Sequence, residues 1–476
     1  MVKKERSALA GLFNALSFFA DATDPRRERR LLIGALLLYV LVTISLLFRH
    51  EVSHDEAQAW LIARDTPTLG SMLNQMRYEG SGGLWHLLLR PFARAGASFY
   101  WIYVLNFLCC TATVFLLAAR SPLPLWMRVL LPFTYLFVWE YSIFARSYAL
   151  GVLLLVAATH AWRARPERFG TWTLLLILSA NCNLPSLILA GGFFITLLLG
   201  PKQKGTSTGL LLLAIGFALT MVYVWPTADS SVSLQFYFRP DHFTRMLTGL
   251  PRFGFVVYVA LTILLVHGGR NRAVTLGFVA GQVALLIFFS LVPICDTRHY
   301  LFLLVGMLWM LWLGNVEWGL ALKSFFVLVI LSMVARGIYR AAGEARVHNR
   351  FPQQLAAAFE REPGRRFIVA DPPSASVPVA VFLPKDSCYF PFQDRWGTFV
   401  TWDKTLGNHI RRPIPSLAAL ARQHPGYDGY YLVTLWALPQ DSLRAMQLIL
   451  LSETHQGANA PVARDARDRY LYRLAR

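Results

Sequence analysis

Leu31-Leu-Ile-Gly-Ala-Leu-Leu-Leu-Tyr-Val-Leu-Val-Thr-Ile-Ser-Leu-Leu-Phe48 is an unbroken apolar run. Arg26, Arg27, Arg29 and Arg30 precede it, and His54-Asp-Glu-Ala-Gln-Ala-Trp60 follows almost at once. About 20 such residues cross about 30 Å of hydrocarbon as a helix. The run therefore predicts a first membrane helix, basic on one flank and acidic on the other. Positive flanks stay in the cytoplasm, which places Asp55 and Glu56 outside. Carboxylates at a membrane interface are costly to desolvate and tend to mark a site. The run is too long, and lacks the small-residue cleavage site, for a removed signal peptide. We expect a retained anchor.

Working outward, the rest of the chain has the same character. Its 476 residues are 55% hydrophobic and only 15% charged, with mean hydropathy +0.44. That is membrane composition. The formal charge of +19 would suit nucleic acid. The basic residues, however, sit in short loops between apolar runs, as the positive-inside rule requires, so no nucleic-acid partner is expected. Cys109 and Cys110 fall inside an apolar run, and Cys182, Cys295 and Cys388 are isolated. No metal-type spacing is present; a disulfide between two of the last three is allowed.

The basic loop His160-Ala-Trp-Arg-Ala-Arg-Pro-Glu-Arg168 is a second cytoplasmic marker. Backwards from it, 147–162 runs inward, 125–143 outward and 99–118 inward. Leu84–Arg94 is too short to cross at 1.5 Å per residue and is expected on the outer surface. Forwards, 170–184, 185–199, 208–225, 253–267, 273–293, 299–314 and 320–340 complete the series. The fold class predicted is a polytopic α-helical membrane protein with about eleven transmembrane helices. Residues 1–30 are cytoplasmic and 31–340 form the membrane domain, with a first outer loop at 50–98. From 341 to 476 charge, Pro and Gly rise, and a C-terminal extracytoplasmic α/β domain is expected. Its predicted strands are 366–370, 429–434 and 469–473, and its predicted helices 416–422 and 443–451.

This topology gathers polar residues on the outer side. They are Asp55 and Glu56; Glu79 and His86 in Tyr78-Glu-Gly-Ser-Gly-Gly-Leu-Trp-His86; and Glu140, Arg146 and Tyr148 in Trp139-Glu-Tyr-Ser-Ile-Phe-Ala-Arg-Ser-Tyr-Ala149. Asn181, Asn183, Arg239, Asp241, His242, Arg245, Asp296, Arg298 and His299 join them. A carboxylate can accept a proton from a hydroxyl, and a guanidinium fork matches phosphate oxygens. Nucleotide donors are scarce outside the cytoplasm, so a phosphate-activated donor there is carried on a lipid. Together these features suggest glycosyl transfer from a polyprenyl-phosphate sugar.

An Asp-Glu pair after the first span resembles the first-outer-loop signature of GT-C membrane glycosyltransferases. The nearest branch holds protein O-mannosyltransferases and lipid A aminoarabinose transferases. Its Gly-His-Pro-Pro-Leu-Tyr/Trp stretch is similar to Glu79-Gly-Ser-Gly-Gly-Leu-Trp85, and its Tyr-Ser-x-Glu-Ala-Arg-x-Tyr-Ala-Leu stretch to Tyr141–Leu150. Ser81, Gly82, Gly83 and Phe144 depart from those patterns, so no role of the replaced residues carries over. The resemblance implies that Asp55 is the catalytic carboxylate and that Arg146, Arg298 and His299 face the donor phosphate. Neighbours on a helix point about 100° apart, so Glu56 should not share the task of Asp55; a structural role, or a metal or substrate contact, is left for it. Glu79, His86 and Tyr148 complete the expected substrate-binding set.

Each assignment has a plainer alternative. Asp55 could simply stabilise a helix N-terminus. Arg146, Arg298 and His299 could anchor span ends at head groups. Glu79 could be a solvated acid, Glu140 a partner of a nearby Arg, and the 226–252 loop a connection or a lid. His54 and His86 could join Asp55 and Glu79 around a divalent metal, but the spacing matches no standard motif, so no metal site is assigned and no cofactor is required. The function expected is inverting sugar transfer from a polyprenyl-phosphate donor to a lipid, glycan or protein hydroxyl, at a bacterial inner membrane with the site and C-terminal domain periplasmic. A transporter or flippase of a lipid-linked sugar is the alternative; it would need ionisable groups at mid-depth, and few are present. A non-catalytic subunit is a third class.

Overall fold

The computed structural model describes residues 24–202, 205–231, 236, 254–292, 295, 297–346, 351–383, 388–409, 416–454 and 469–475. Most of the 226–252 loop, including Arg239, Asp241, His242 and Arg245, lies outside the described residues, as does Asp296.

The opening run folds as the helix Pro25–Leu47. Pro25 supplies a helical φ at its first position, and the Asp24 carboxylate accepts from the Arg26 amide at 2.9 Å. Among the described residues, four more helices have the length and composition to cross a membrane: Trp101–Arg120, Thr206–Val224, Arg272–Leu291 and Leu320–Arg346. Shorter apolar helices run over Phe169–Ala180, Leu184–Leu199, Gly254–Gly268 and Thr297–Leu313, and Ser147–Ala164 passes through the bundle between them. Small residues set its closest crossing. A Cβ on Gly192 would fall 2.7 Å from the Gly277 carbonyl, so Leu184–Leu199 and Arg272–Leu291 meet backbone to backbone.

One expected span is corrected. Residues 125–143 do not form a regular helix. They are a short helix Leu125–Leu130, one 3₁₀ turn Leu131–Phe133 and a wide π-turn Tyr135–Glu140. Pro132 removes a donor that a continuing α-helix would need. Tyr135 to Ser142 are all buried, so protein rather than lipid satisfies the loosened backbone. Asn106 Nδ2 donates to the Tyr141 carbonyl at 2.8 Å and the Ser142 carbonyl at 3.1 Å. Tyr39 meets Ser142 Oγ at 2.6 Å. The segment still traverses the bundle: Arg128 pairs with Glu28 at 2.6 Å at one end, and Ala145 reaches Glu56 at the other.

The first loop holds three helices, His54–Asp65, Leu69–Glu79 and Leu84–Arg94. Leu84–Arg94 packs back on the loop, its Arg90 donating to the Ala63 carbonyl at 3.2 Å and the Thr66 carbonyl at 3.0 Å. The glycines before it are explained by a close approach. A Cβ on Gly82 would lie 2.5 Å from the Asn181 carbonyl. Ser81 Oγ donates to the Cys182 carbonyl at 3.0 Å, and the Leu84 amide to the Asn181 carbonyl at 3.1 Å. The Gly-Ser-Gly-Gly stretch is thus the seat on which the 181–183 turn rests.

Beyond Leu320–Arg346 the chain builds one six-stranded sheet in the order β3-β2-β1-β4-β6-β5. The strands are β1 (Arg366–Asp371), β2 (Cys388–Phe390), β3 (Arg395–Gly397), β4 (Gly429–Thr434), β5 (Leu448–Thr454) and β6 (Arg469–Leu474). β1 runs parallel to β2 and β4, and the other pairs are antiparallel. The expected helix 443–451 is corrected. The helix is Gln440–Met446, and Gln447, at φ 56°, turns the chain into strand β5. Leu448-Ile-Leu-Leu451 is a short apolar run whose pattern suits either element; pairing with β6 decides it. All five cysteines are unbonded, so no disulfide forms among Cys182, Cys295 and Cys388.

The sheet domain and first loop share a core. Val52, Ala57, Trp60, Trp85 and Phe99 pack in one cluster with Phe359, Ile368, Val377, Val400 and Tyr431. Arg469 on β6 forms a buried pair with Glu51 at 2.6 Å.

Candidate functional site

The site grows from the N-terminus of the helix His54–Asp65. Ser53 and Glu56 form a reciprocal cap: Ser53 Oγ accepts from the Glu56 amide, and the Glu56 carboxylate from the Ser53 amide at 2.8 Å. This fixes the first turn, and Asp55, within it, points away from Glu56. Asp55 is partly exposed. Its Oδ2 accepts from Arg298 Nη2 at 2.5 Å, and Oδ1 lies 3.5 Å from Arg146 Nη1. The same Arg146 nitrogen donates to the Asp55 carbonyl at 2.8 Å. Arg146 stands just before the helix Ser147–Ala164, and Arg298 lies in the turn Thr297–Tyr300.

A second layer supports the arginines. Tyr141 Oη donates to the Arg298 carbonyl at 2.9 Å. Tyr148 Oη and His299 Nε2 are 2.7 Å apart, and the Arg298 guanidinium carbon lies 6.0 Å from the centre of the Tyr148 ring. Asp55, Arg146, Tyr148, Arg298 and His299 therefore meet, although up to 244 positions separate them.

Glu79 and His86 adjoin this cluster electrostatically. Burial pushes the Glu79 carboxyl up to about 7, with the Asp55 charge adding to it and Gln58 and Arg146 opposing. Gln58 Nε2 donates to Glu79 at 2.9 Å and to the Val400 carbonyl at 2.6 Å, while the Val400 amide donates back to Gln58 Oε1 at 3.0 Å. One amide thus ties the site to the outer domain. Burial, with Arg146 beside it, pulls His86 down to about 3, so its ring is neutral. Asp55 moves the other way. Burial would raise its pKa, but Arg146 and Arg298, helped by His54 and His299, hold it well below the usual carboxylate range. Asp55 is therefore fully ionised while both guanidiniums face it.

The substrate contact considered for Glu56 is corrected. Glu56 is fully buried. Its oxygens face the Ser53 amide, the Ala145 amide at 2.8 Å, Tyr103 Oη at 3.3 Å and His50 Nε2. Four neighbours saturate the carboxylate, and it acts as a structural joint. Glu140 also lies outside the cluster, in the π-turn, with Tyr135 Oη as donor; the Arg336 guanidinium sits 4.1 Å over the Tyr135 ring. No group of three His, Cys, Asp or Glu among the described residues could hold a metal ion.

Sequence reasoning missed His50, Gln58, Glu344 and Val400. Gln58 stood inside the quoted motif, and His50 was visible as a lone His between the first span and the acidic pair. Val400 acts through its backbone and carried no signal.

The architecture is a bundle of apolar helices with a sheet domain seated on its first loop and a carboxylate between two arginines at their junction. The fold is shared with two crystal structures of ArnT from Cupriavidus metallidurans. The apo structure aligns with a TM-score of 0.53 at 13% identity, covering 93% of this chain and 98% of that one. The structure bound to undecaprenyl phosphate aligns at 0.52 and 12%, covering 94% and 98%. No family model matches the sequence, and no curated protein does.

Proposed function

We propose that this protein is an inverting glycosyltransferase. It moves a sugar from a polyprenyl-phosphate donor to an acceptor hydroxyl on the outer, periplasmic face of a bacterial inner membrane. The observation that carries this reading is the Asp55 carboxylate held between Arg146 and Arg298, in a fold shared with a structure bound to undecaprenyl phosphate.

The acceptor oxygen attacks the anomeric carbon from the face opposite the phosphate. The new C–O bond forms as the bond from carbon to phosphate oxygen breaks. The hydroxyl proton passes to Asp55, and the electron pair leaves on the polyprenyl phosphate. Arg146 and Arg298, backed by His299 and Tyr148, offset the charge on the leaving group. The two guanidiniums face Asp55 before the donor arrives. A donor phosphate competes for them, and as it draws them away the Asp55 pKa rises toward its ordinary value. Proton acceptance therefore follows donor binding. Glu79 and His86 line the acceptor side, and the sheet domain, tied in through Gln58 and Val400, helps select the acceptor.

The test uses purified protein in nanodiscs with labelled polyprenyl-phosphate pentoses and hexoses and a lipid and glycan extract as acceptor. Wild type should consume one donor, and Asp55→Asn should lower the rate by about 10² to 10⁴-fold. Wild-type turnover in Asp55→Asn refutes the mechanism.

A further inference from the structure

We propose that His50 is a positioning residue: it braces Glu56 against the last membrane helix and so fixes the Asp55–Arg146 pair. The proposal rests on the reading of Asp55 given above. His50 Nε2 lies 3.1 and 3.2 Å from the two Glu56 oxygens, and Nδ1 lies 2.8 Å from Glu344 Oε1. Carboxylates only accept, so both ring nitrogens donate and the imidazole is positively charged. Burial opposes that charge, but Glu56 and Glu344 outweigh it and push the His50 pKa up to about 10. All three side chains are nearly inaccessible. Tyr103 and Phe144 hold the ring edge-on, with centroids 5.5 and 5.2 Å away, and Glu51 is a further acidic group near it.

The brace reaches the reacting groups through Glu56. That carboxylate accepts from the Ser53 amide and the Ala145 amide, both at 2.8 Å. Ala145 directly precedes Arg146, and Asp55 directly precedes Glu56. One side chain therefore sets the spacing of the two backbones that carry the pair. Glu344 lies in the last turn of Leu320–Arg346, so His50 ties that helix to the joint. Without the imidazole, Glu56 loses its counter-ion in a buried pocket and its hold on Ala145 weakens. A buried carboxylate–imidazole–carboxylate chain is a poor way to gain stability compared with apolar packing; what it supplies here is a fixed geometry.

The experiment compares full-length wild type, His50→Phe, Glu344→Leu and Glu344→Gln in nanodiscs. It reads kcat, donor KM, undecaprenyl phosphate affinity, and hydrogen exchange in peptides covering Tyr141–Tyr148. His50→Phe and Glu344→Leu should lower kcat by about 10²-fold, the scale of a 1 Å misplacement, with KM and undecaprenyl phosphate affinity within about threefold. Exchange at the Ala145 amide should rise in both. Glu344→Gln keeps an acceptor for Nδ1 and should retain most turnover. Unchanged kcat in His50→Phe, or an equal fall in kcat and undecaprenyl phosphate affinity, overturns the proposal. If His50→Phe does not fold, the contrast between Glu344→Leu and Glu344→Gln decides it. If wild type consumes no donor, the transferase reading fails, and exchange at Ala145 still tests the brace.

Discussion

Glu79→Gln should stabilise this protein in a pH-dependent way. Glu79 ends the helix Leu69–Glu79, and burial pushes its pKa from an ordinary 4.5 up to about 7. Between those values the folded chain holds a proton that the unfolded chain releases. The stability tied to that proton is present in full below about pH 4.5 and is lost as pH rises through 7. A difference of about 2.5 pH units at 1.36 kcal/mol each gives about 3 kcal/mol as the upper bound. Glutamine keeps a carbonyl for the Gln58 amide and cannot ionise. The variant should therefore match wild type at pH 4 and exceed it at pH 8, by about 1 to 3 kcal/mol. The assay is chemical or thermal unfolding in one detergent, followed in half-unit steps from pH 4 to 8. A difference that stays constant with pH, or a variant weaker than wild type at pH 8, would refute the argument that burial dominates this carboxyl. If Glu79 also touches substrate, the stabilised variant turns over more slowly, as stability–function conflicts predict.

Arg469→Met strands Glu51 in the core between the first loop and β6. Removing one member of a buried pair costs about 3 to 5 kcal/mol, and Glu51, already pushed up to about 7, takes a proton and holds the loss near the low end; urea unfolding at pH 6 and 8 should show the larger loss at pH 8. Gly277→Leu drives a side chain toward Thr196 and the Gly192 carbonyl, and should cost about 1 to 3 kcal/mol or more, read from the yield of folded protein in detergent by size exclusion. Gln447→Gly relieves a left-handed residue at φ 56° and should add about 1 kcal/mol in the same urea assay.

Much of this arrangement was legible in the chain because membrane crossings are written in composition. The apolar run from Leu31 and those after it fall on helices of the bundle, and Arg366–Ala370 and Gly429–Tyr-Tyr-Leu-Val-Thr434 read directly as buried strands. Where a segment's partners are protein rather than lipid, composition stops being informative. Residues 125–143 are as apolar as a span, yet Pro132 and the buried carbonyls around Tyr141 make them irregular. Leu448–Leu451 failed for a similar reason, since its partner β6 lies beyond it in the chain. The site divides in the same way. Asp55, Arg146 and Arg298 sit at helix ends, where charge is conspicuous, and the structure brings them into contact. Helical geometry separated Glu56 from the task of Asp55, but only the fold reveals which groups engage its oxygens. Val400 contributes a backbone amide and carbonyl, which every residue has.

The irregular stretch at 125–143 bears on how the protein is made. A segment with loosened backbone bonds is a poor client for lipid on its own, and the groups that satisfy it belong to Tyr39, Asn106 and Cys110. All three precede it in the chain. The groups that satisfy this stretch are therefore synthesised before it. Insertion of this stretch can therefore proceed against a waiting protein wall, and the order of the sequence doubles as an order of assembly.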